Sequence, residues 1–150
     1  MIDAWVATLG GVGFWPVTPG TWGSLVALPL GAGLVWAGGT RLLAVGTAAA
    51  SLTGWWAASI YTERTGLADP PEVVIDELTG LWLVLLAASL RWQQVAAAFV
   101  LFSMADIIKP WPASWADRQL HSGFGIMADD LLAALYAALV LWLLKRGDVL

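Results

Sequence analysis

The stretch GFGIMADDLLAALYAALVLWLLKR, residues 123–146, places two adjacent carboxylates, Asp129 and Asp130, at the start of a long apolar run. The apolar part, residues 126–145, has the length of about 20 residues that a helix needs to cross a bilayer. Acids near lipid are expensive and often functional, although acids in a first helical turn also complement the helix dipole. The stretch therefore predicts a membrane helix in which the two acids of the first turns have a structural or functional role.

The composition of the whole chain agrees with a membrane protein. Hydrophobic residues make up 59% of the 150 residues and charged residues only 12%, whereas soluble domains carry about 25% charged residues. Eleven tryptophans are a large excess, which favours rings at the membrane–water interface over ordinary core packing. We expect one membrane domain spanning residues 1–150, embedded in a lipid bilayer.

Five apolar segments predict helices, at roughly residues 22–38, 42–62, 77–91, 93–108 and 126–145. The second and the last reach the spanning length of about 17–25 residues, the first is marginal, and the other two are short enough to tilt or to form a hairpin that does not fully cross. No segment alternates as a strand does. The predicted fold is all-α, a membrane-embedded helical bundle in which some segments are shorter than a full span.

If the segments alternate in direction, the connections at residues 1–21, 63–76 and 109–125 share one face of the bundle. Nearly all the acids then lie on that face, namely Asp3, Glu63, Asp69, Glu72, Asp76, Glu77, Asp106, Asp117, Asp129 and Asp130. The opposite face carries Arg41, Arg91, Lys145 and Arg146, with Asp148 as its one acid.

Several classes of chemistry are excluded. The chain has no cysteine, so disulfides, thiolate nucleophiles and Cys-based metal sites are absent. His121 is its one histidine, which rules out a multi-histidine zinc site within one chain. The net charge of −4 argues against nucleic acid. The first residues carry no basic region of the kind that begins a cleaved secretory signal.

The stretch GFWPVTPGTWGSL, residues 13–25, has the composition of a loop that leads into a helix. Pro19 stiffens it, Gly20 and Gly23 allow a ligand close to the backbone, and Thr21 or Ser24 can cap the helix. Free N–H groups at such a helix start bind anions, but the lysine of a nucleotide P-loop is missing. The alternative is an ordinary Pro/Gly helix start, and taken alone the stretch favours that explanation.

Acids and one lysine recur in DPPEVVIDELTG, residues 69–80, and in residues 106–130. Their carboxylates would repel one another on a shared face, and a divalent cation would relieve that repulsion. Oxygen ligands without cysteine suit Mg²⁺ or Mn²⁺, and a nearby lysine can hold a phosphate oxygen. The pattern predicts metal-assisted phosphoryl chemistry, carried by Asp76, Glu77, Asp106, Lys109, Asp129 and Asp130.

At these residues the chain resembles the phosphatidylglycerophosphatase A family. The likeness lies in PGTWGSL (19–25), DE..G (76–80), D..KPWP (106–112) and GIM.DD (125–130), which keep their order and spacing from residue 13 to about residue 134. The resemblance implies Mg²⁺-dependent hydrolysis of phosphatidylglycerophosphate to phosphatidylglycerol and phosphate. It also implies a multi-pass protein of the bacterial inner membrane.

The resemblance also implies roles for residues. Asp76, Glu77, Asp129 and Asp130 would bind Mg²⁺, and one of these or Asp106 would be the base. The phosphate would be held by Pro19, Gly20, Thr21, Gly23, Ser24, Lys109 and His121. His121 matches a histidine of some members, although a helix-flanking residue at the interface is an equally good interpretation. Direct attack by water is simpler than a phosphoenzyme, and an aspartyl-phosphate stays open.

The chain departs from the family pattern at Ser103, Ala105, Ser122 and Ala134, where an arginine, a larger apolar residue and two glycines are usual. Because an arginine grips phosphate with two bonds, its loss leaves that role to Lys109 or Arg118, or lowers activity. A silent relative acting as a membrane scaffold is therefore one alternative. A cation transport protein is another, although segments 42–62 and 126–145 have almost no polar residues at their centres.

The basic residues and the expected substrate favour opposite orientations of the chain in the membrane. The positive-inside rule weakly favours a cytoplasmic location for the face with Arg41, Arg91, Lys145 and Arg146. The acidic face holds Arg64, Lys109 and Arg118, and the lipid substrate implied by the resemblance is made on the cytoplasmic leaflet. We follow the substrate and expect the active site to face the cytoplasm.

Overall fold

Apolar segments without alternation should form helices, and the computed structural model, which describes residues 1–150, contains helices and no strand. The elements are α1 (Ile2–Ala7), a 3-10 turn (Val12–Phe14), α2 (Pro19–Thr65), α3 (Ile75–Leu85), α4 (Trp92–Ile108), α5 (Ala113–Gln119) and α6 (Gly123–Arg146). By length and composition α2 and α6 can cross a membrane, and α4 with α5, bent by 50° at their break, can form a third span. The predicted all-α membrane fold is confirmed.

The long helix α2 is a hairpin of two arms. Gly38 and Gly39 leave the helical conformation, and Gly39 takes a φ of 70°, which glycine adopts without steric penalty. A Cβ on Gly46 of the second arm would lie 2.9 Å from the Leu34 side chain of the first. The arms, residues 19–37 and 40–65, are about 28 and 39 Å long. They correspond to the predicted segments 22–38 and 42–62.

The short helix α3 forms the centre of the bundle and packs against α2, α4 and α6. Nine of its eleven residues are buried, and after Thr79 every side chain of the helix is apolar. Glycine allows the close approach, because a Cβ on Gly80 would lie 2.5 Å from the ring of Phe102 in α4. The predicted segment 77–91 was too long: α3 ends at Leu85, and Gln94 accepts a hydrogen bond from the Ser89 backbone at 2.7 Å.

Two short helices lie where the sequence predicted only connections. Asp3 fastens α1 to the end of α2, because its carboxylate lies 2.7 Å from both the N-terminal ammonium group and the Arg64 guanidinium group. The other short helix, α5, begins directly after Pro112. Ser122 caps α6, with its hydroxyl oxygen accepting from the Gly125 N–H at 3.4 Å. This cap gives the serine at position 122 a structural role.

Tryptophan lies mainly on the surface of the bundle. Ten of the eleven side chains are exposed, so core packing does not explain the excess. The exception, Trp82 of α3, is buried and donates its indole N–H to the Ala27 carbonyl at 2.8 Å. The exposed rings fit the preference of tryptophan for the membrane–water interface.

Candidate active site

The three connections predicted to share a face do meet at one end of the bundle. Gly20 from the first, Asp69 from the second and Lys109 from the third line one cavity of about 190 Å³. We call it the acidic cavity, because it is also lined by the five carboxylates predicted to be catalytic, Asp76, Glu77, Asp106, Asp129 and Asp130. All six residues predicted to carry the chemistry are therefore brought together.

Two helix starts deliver four of these carboxylates. Asp76 and Glu77 lie in the first turn of α3, and Asp129 and Asp130 lie in the second turn of α6. The Asp76 carboxylate accepts the Glu77 N–H at 2.9 Å, and the Asp129 carboxylate accepts the Asp130 N–H at 2.9 Å. Such bonds and, for Asp76 and Glu77 in the first turn of α3, the positive end of the helix dipole partly offset the expense of burying charge.

Glu77 is held from both sides by the start of α2. The Ser24 hydroxyl donates to its Oε2 at 2.8 Å, and a Cβ on Gly20 would lie 2.2 Å from its Oε1. Glu77 belongs to α3, which at eleven residues is too short to span a bilayer, so this carboxyl group lies outside the membrane-spanning segments. Burial, reinforced by the charge of Asp106, raises the pKa of Glu77 to about 7. The carboxyl group can therefore exchange a proton near neutral pH, as a general base must.

Lys109 is the one basic side chain that lines the acidic cavity. It follows the last residue of α4 in a left-handed conformation, with φ of 46°. Its ammonium nitrogen lies 2.5 Å from Asp129 Oδ2 and 2.8 Å from Asp117 Oδ1. Arg118 is exposed and does not line the cavity. Of the two cations that could replace the arginine missing at Ser103, the structure thus favours Lys109.

The donor chemistry of the cavity fits a hard divalent cation. Asp130 is buried, and its Oδ2 has no hydrogen-bond partner, which leaves a lone pair directed at no protein donor. No three of the acidic side chains are placed so that they could hold one metal ion together. The predicted set of four metal ligands, Asp76, Glu77, Asp129 and Asp130, therefore stays a prediction. Mg²⁺ needs fewer ligands than that, since it usually takes one or two carboxylates and completes its shell with waters and phosphate oxygens.

The predicted phosphate loop is only partly at the cavity. Gly20 lines it, but Ser24 is buried and bonded to Glu77, and a Cβ on Gly23 would lie 3.0 Å from Val74. Pro19 is half-buried, and Thr21 is exposed. Small residues in PGTWGS therefore allow α2 to pack closely on α3. From the sequence alone, glycines that allow such packing could not be distinguished from glycines that allow a ligand to approach the backbone.

His121 lies beside the acidic cavity rather than in it. It is exposed and lines a smaller cavity of about 30 Å³, here called the linking cavity, together with Asp69 and Asp129. Asp69 and Asp117 were not among the predicted site residues. Asp69 precedes two prolines that fix the local backbone, and Asp117 is placed by α5, which the sequence pattern did not predict.

An apolar helical fold with a cavity of carboxylates around one lysine fits a membrane-embedded enzyme of phosphoryl chemistry. A family model described as Phosphatidylglycerophosphatase A matches residues 5–145. The chain belongs to the phosphatidylglycerophosphatase A family, a family of phosphatases.

Curated relatives cover most of the chain. The phosphatidylglycerophosphatase A of Haemophilus influenzae is 42% identical over 128 residues, which is 85% of this chain and 78% of that protein. The protein of the same name from Escherichia coli is 38% identical over 136 residues, covering 88% of this chain and 77% of that protein. A relative from Bacteroides thetaiotaomicron, provisionally named a phosphatidylinositol-3-phosphatase, is 36% identical over 143 residues, or 91% and 89% of the two chains. No solved structure matches the chain.

Proposed function

We propose that the chain hydrolyses the terminal phosphate of phosphatidylglycerophosphate to give phosphatidylglycerol and inorganic phosphate, with Mg²⁺ as cofactor. The observation that carries the proposal is the convergence of six carboxylates, five of them predicted from the sequence, and one lysine on one cavity at the end of an apolar bundle. Family membership and the names of two relatives support the substrate. A phosphate group on a lipid anchored in the bilayer would reach such a cavity from the membrane surface.

In this mechanism the side chains that line the acidic cavity have separate roles. Lys109 binds a non-bridging phosphoryl oxygen as a point charge, and the start of α2 at Gly20 faces the same space. Asp76 and Asp130 would hold Mg²⁺, which supplies neutralisation of the phosphoryl oxygens when bound. Asp129 keeps the ammonium group of Lys109 in place through their ion pair.

Glu77 takes a proton from water, and Ser24 fixes the carboxylate that does so. The water oxygen forms the new bond to phosphorus as the bond from phosphorus to the glycerol oxygen breaks. The glycerol oxygen takes a proton from solvent water as it leaves and becomes the alcohol of phosphatidylglycerol, and Glu77 gives its own proton back to solvent. Residues that hold the phosphate and the water in line supply most of the rate acceleration of such a reaction.

The direct experiment is phosphate release by the purified protein in detergent–lipid micelles, with and without Mg²⁺. We expect release from phosphatidylglycerophosphate only with the metal, and slower release from phosphatidylinositol 3-phosphate. A folded protein that releases no phosphate in Mg²⁺ would support the scaffold alternative. The transport alternative finds little support, since the hydroxyls of Thr47 and Thr53 in α2 bond to carbonyls of their own helix and mark no polar path.

Location in the inner membrane, with the acidic cavity facing the cytoplasm, is part of the proposal. Because the chain has no cysteine, single cysteines can be placed at Leu67, near the cavity, and at Trp36, near the tip of the α2 hairpin. A membrane-impermeant maleimide should label Leu67→Cys only in inside-out vesicles and Trp36→Cys only in right-side-out vesicles. The reverse pattern would contradict the orientation and leave the activity proposal intact.

A further inference from the structure

An apolar cavity of about 550 Å³ lies between the second arm of α2, α5 and α6. Ten of its eleven lining residues are hydrophobic, and Ser51 is the exception. Trp55 and Phe124 meet edge to face at its rim, with ring centroids 5.7 Å apart, and both are about half exposed. We call this cavity the apolar groove, and its size is typical of ligand sites, which run to about 300–1,000 Å³.

The apolar groove adjoins the acidic cavity. Leu120 lines both the groove and the linking cavity, and Asp129 lines both the linking cavity and the acidic cavity. Along α6, Ala128 lines the groove and the next residue, Asp129, lines the acidic cavity. Consecutive residues of a helix point about 100° apart, so the two cavities open on neighbouring faces of one helix. A molecule bound across both would pass Leu120 and His121.

We propose that the apolar groove holds an acyl chain of the lipid whose phosphate is hydrolysed in the acidic cavity, an inference that rests on the proposed function. Such a lipid has its apolar and charged parts joined by a polar glycerol linkage. The three cavities present apolar, mixed and charged linings in that order. A helix of another protein is a poorer occupant, because membrane helix contacts favour small residues, whereas Leu52, Trp55 and Leu131 line this groove.

The groove gives the enzyme a means of recognising the substrate by its chain. Substrate bound at both ends would be held with its phosphate in place, so the chain would contribute to catalysis as well as to affinity. Removal of the chains, or of the space for them, should therefore lower kcat/KM for the lipid without disturbing the chemistry of the headgroup.

Ala128→Phe fills the groove, and Ala138→Phe is the matched control, since Ala138 is also half-buried on α6 but does not line the groove. For dioleoyl phosphatidylglycerophosphate we expect Ala128→Phe to lower kcat/KM by about tenfold or more, a loss of transition-state binding. For the deacylated headgroup, glycerophosphoglycerol phosphate, both variants should match the wild type. Equal kinetics of Ala128→Phe and Ala138→Phe on the dioleoyl lipid would overturn the proposal.

Labelling tests the groove independently of turnover. A phosphatidic acid with a diazirine on its acyl chain should label peptides containing Met127 or Leu131 several-fold more than a phosphatidylcholine with the same chain, and Ala128→Phe should remove the difference. Equal labelling by the two lipids would mean that the groove takes bulk lipid only, which contradicts the inference. Selective labelling by a wild-type protein that releases no phosphate would support the groove and count against the proposed function.

Discussion

The ammonium nitrogen of Lys109 lies 2.5 Å from Asp129 Oδ2 and so joins the end of α4 to the second turn of α6 across the acidic cavity. The lysine side chain is about a quarter exposed and that of the aspartate 8%. Loss of one member of such a pair leaves the other without its counter-charge. The ion pair fixes the position of the one cationic side chain in the cavity that could bind a phosphate oxygen.

Lys109→Met should lower kcat/KM by about 10²–10³, the usual effect of removing one group that stabilises charge in the transition state. Lys109→Arg keeps the charge with a different donor geometry and should fall between Lys109→Met and the wild type. Phosphate release under matched conditions measures both. Arg41→Met, at an exposed position near the tip of the α2 hairpin, is the control and should stay within about twofold of the wild type. Wild-type activity in Lys109→Met would remove the lysine from the mechanism.

Asp130→Asn should abolish phosphate release while leaving the protein folded, because it removes charge from a buried oxygen that no protein donor satisfies. The same variant should lose the rise in unfolding temperature that Mg²⁺ gives the wild type. Asp129→Asn should also abolish release, since it breaks the pair with Lys109. Asp148→Asn, beyond the far end of α6, is the matched control. The metal site would be misplaced if both site variants kept full activity.

The raised pKa of Glu77 predicts that the free energy of unfolding of the metal-free protein depends on pH. The Glu77 pKa rises from 4.5 to about 7 on folding, so the protonated form stabilises the fold fully below about 4.5, and this contribution is lost as the pH rises through about 7. Between pH 5.5 and 8 the free energy of unfolding should fall by about 2 kcal/mol on this account. Thermal unfolding of metal-free wild type and Glu77→Gln in detergent measures it, with the variant showing a flatter profile. Identical slopes for the two proteins would contradict the assignment.

Gly20→Ala should displace the Glu77 carboxylate, because the added Cβ would lie 2.2 Å from Oε1. The bond from Ser24 would then lengthen, and kcat should fall by about tenfold or more, as expected for a misplaced catalytic group. Gly33→Ala, where a Cβ would meet nothing within 4 Å, should keep its activity and gain up to about 1 kcal/mol of stability from helix propensity. Parallel losses in both variants would point to a general effect of alanine in α2.

The sequence predicted that the acids gather on one face, because the order and alternating direction of the segments determine which helix ends meet. Which ends meet does not depend on how each helix is rotated about its own axis. The sequence did not predict which side chains touch. An amphipathic helix shows which face is buried, but α3 is buried on nearly every side, Asp76 included, so its pattern did not orient Glu77 toward Ser24. Rotation is fixed instead by close approaches at glycines such as Gly31 and Gly80, where a Cβ would clash with Trp82 and Phe102. The short helix α5, with Asp117, was missed because seven residues give too few turns for a periodic signal.

The α2 hairpin has a practical consequence at its tip. Gly39 is exposed, a Cβ there would meet nothing within 4 Å, and the residue belongs to neither helical arm. Exposed turns of this kind are where proteins tolerate inserted sequence. An epitope or a small rigid domain placed at Gly38–Gly39 would lie at the opposite end of both arms from the acidic cavity. It would give a 15.9 kDa membrane protein a feature large enough to be located in electron micrographs, with the acidic cavity untouched.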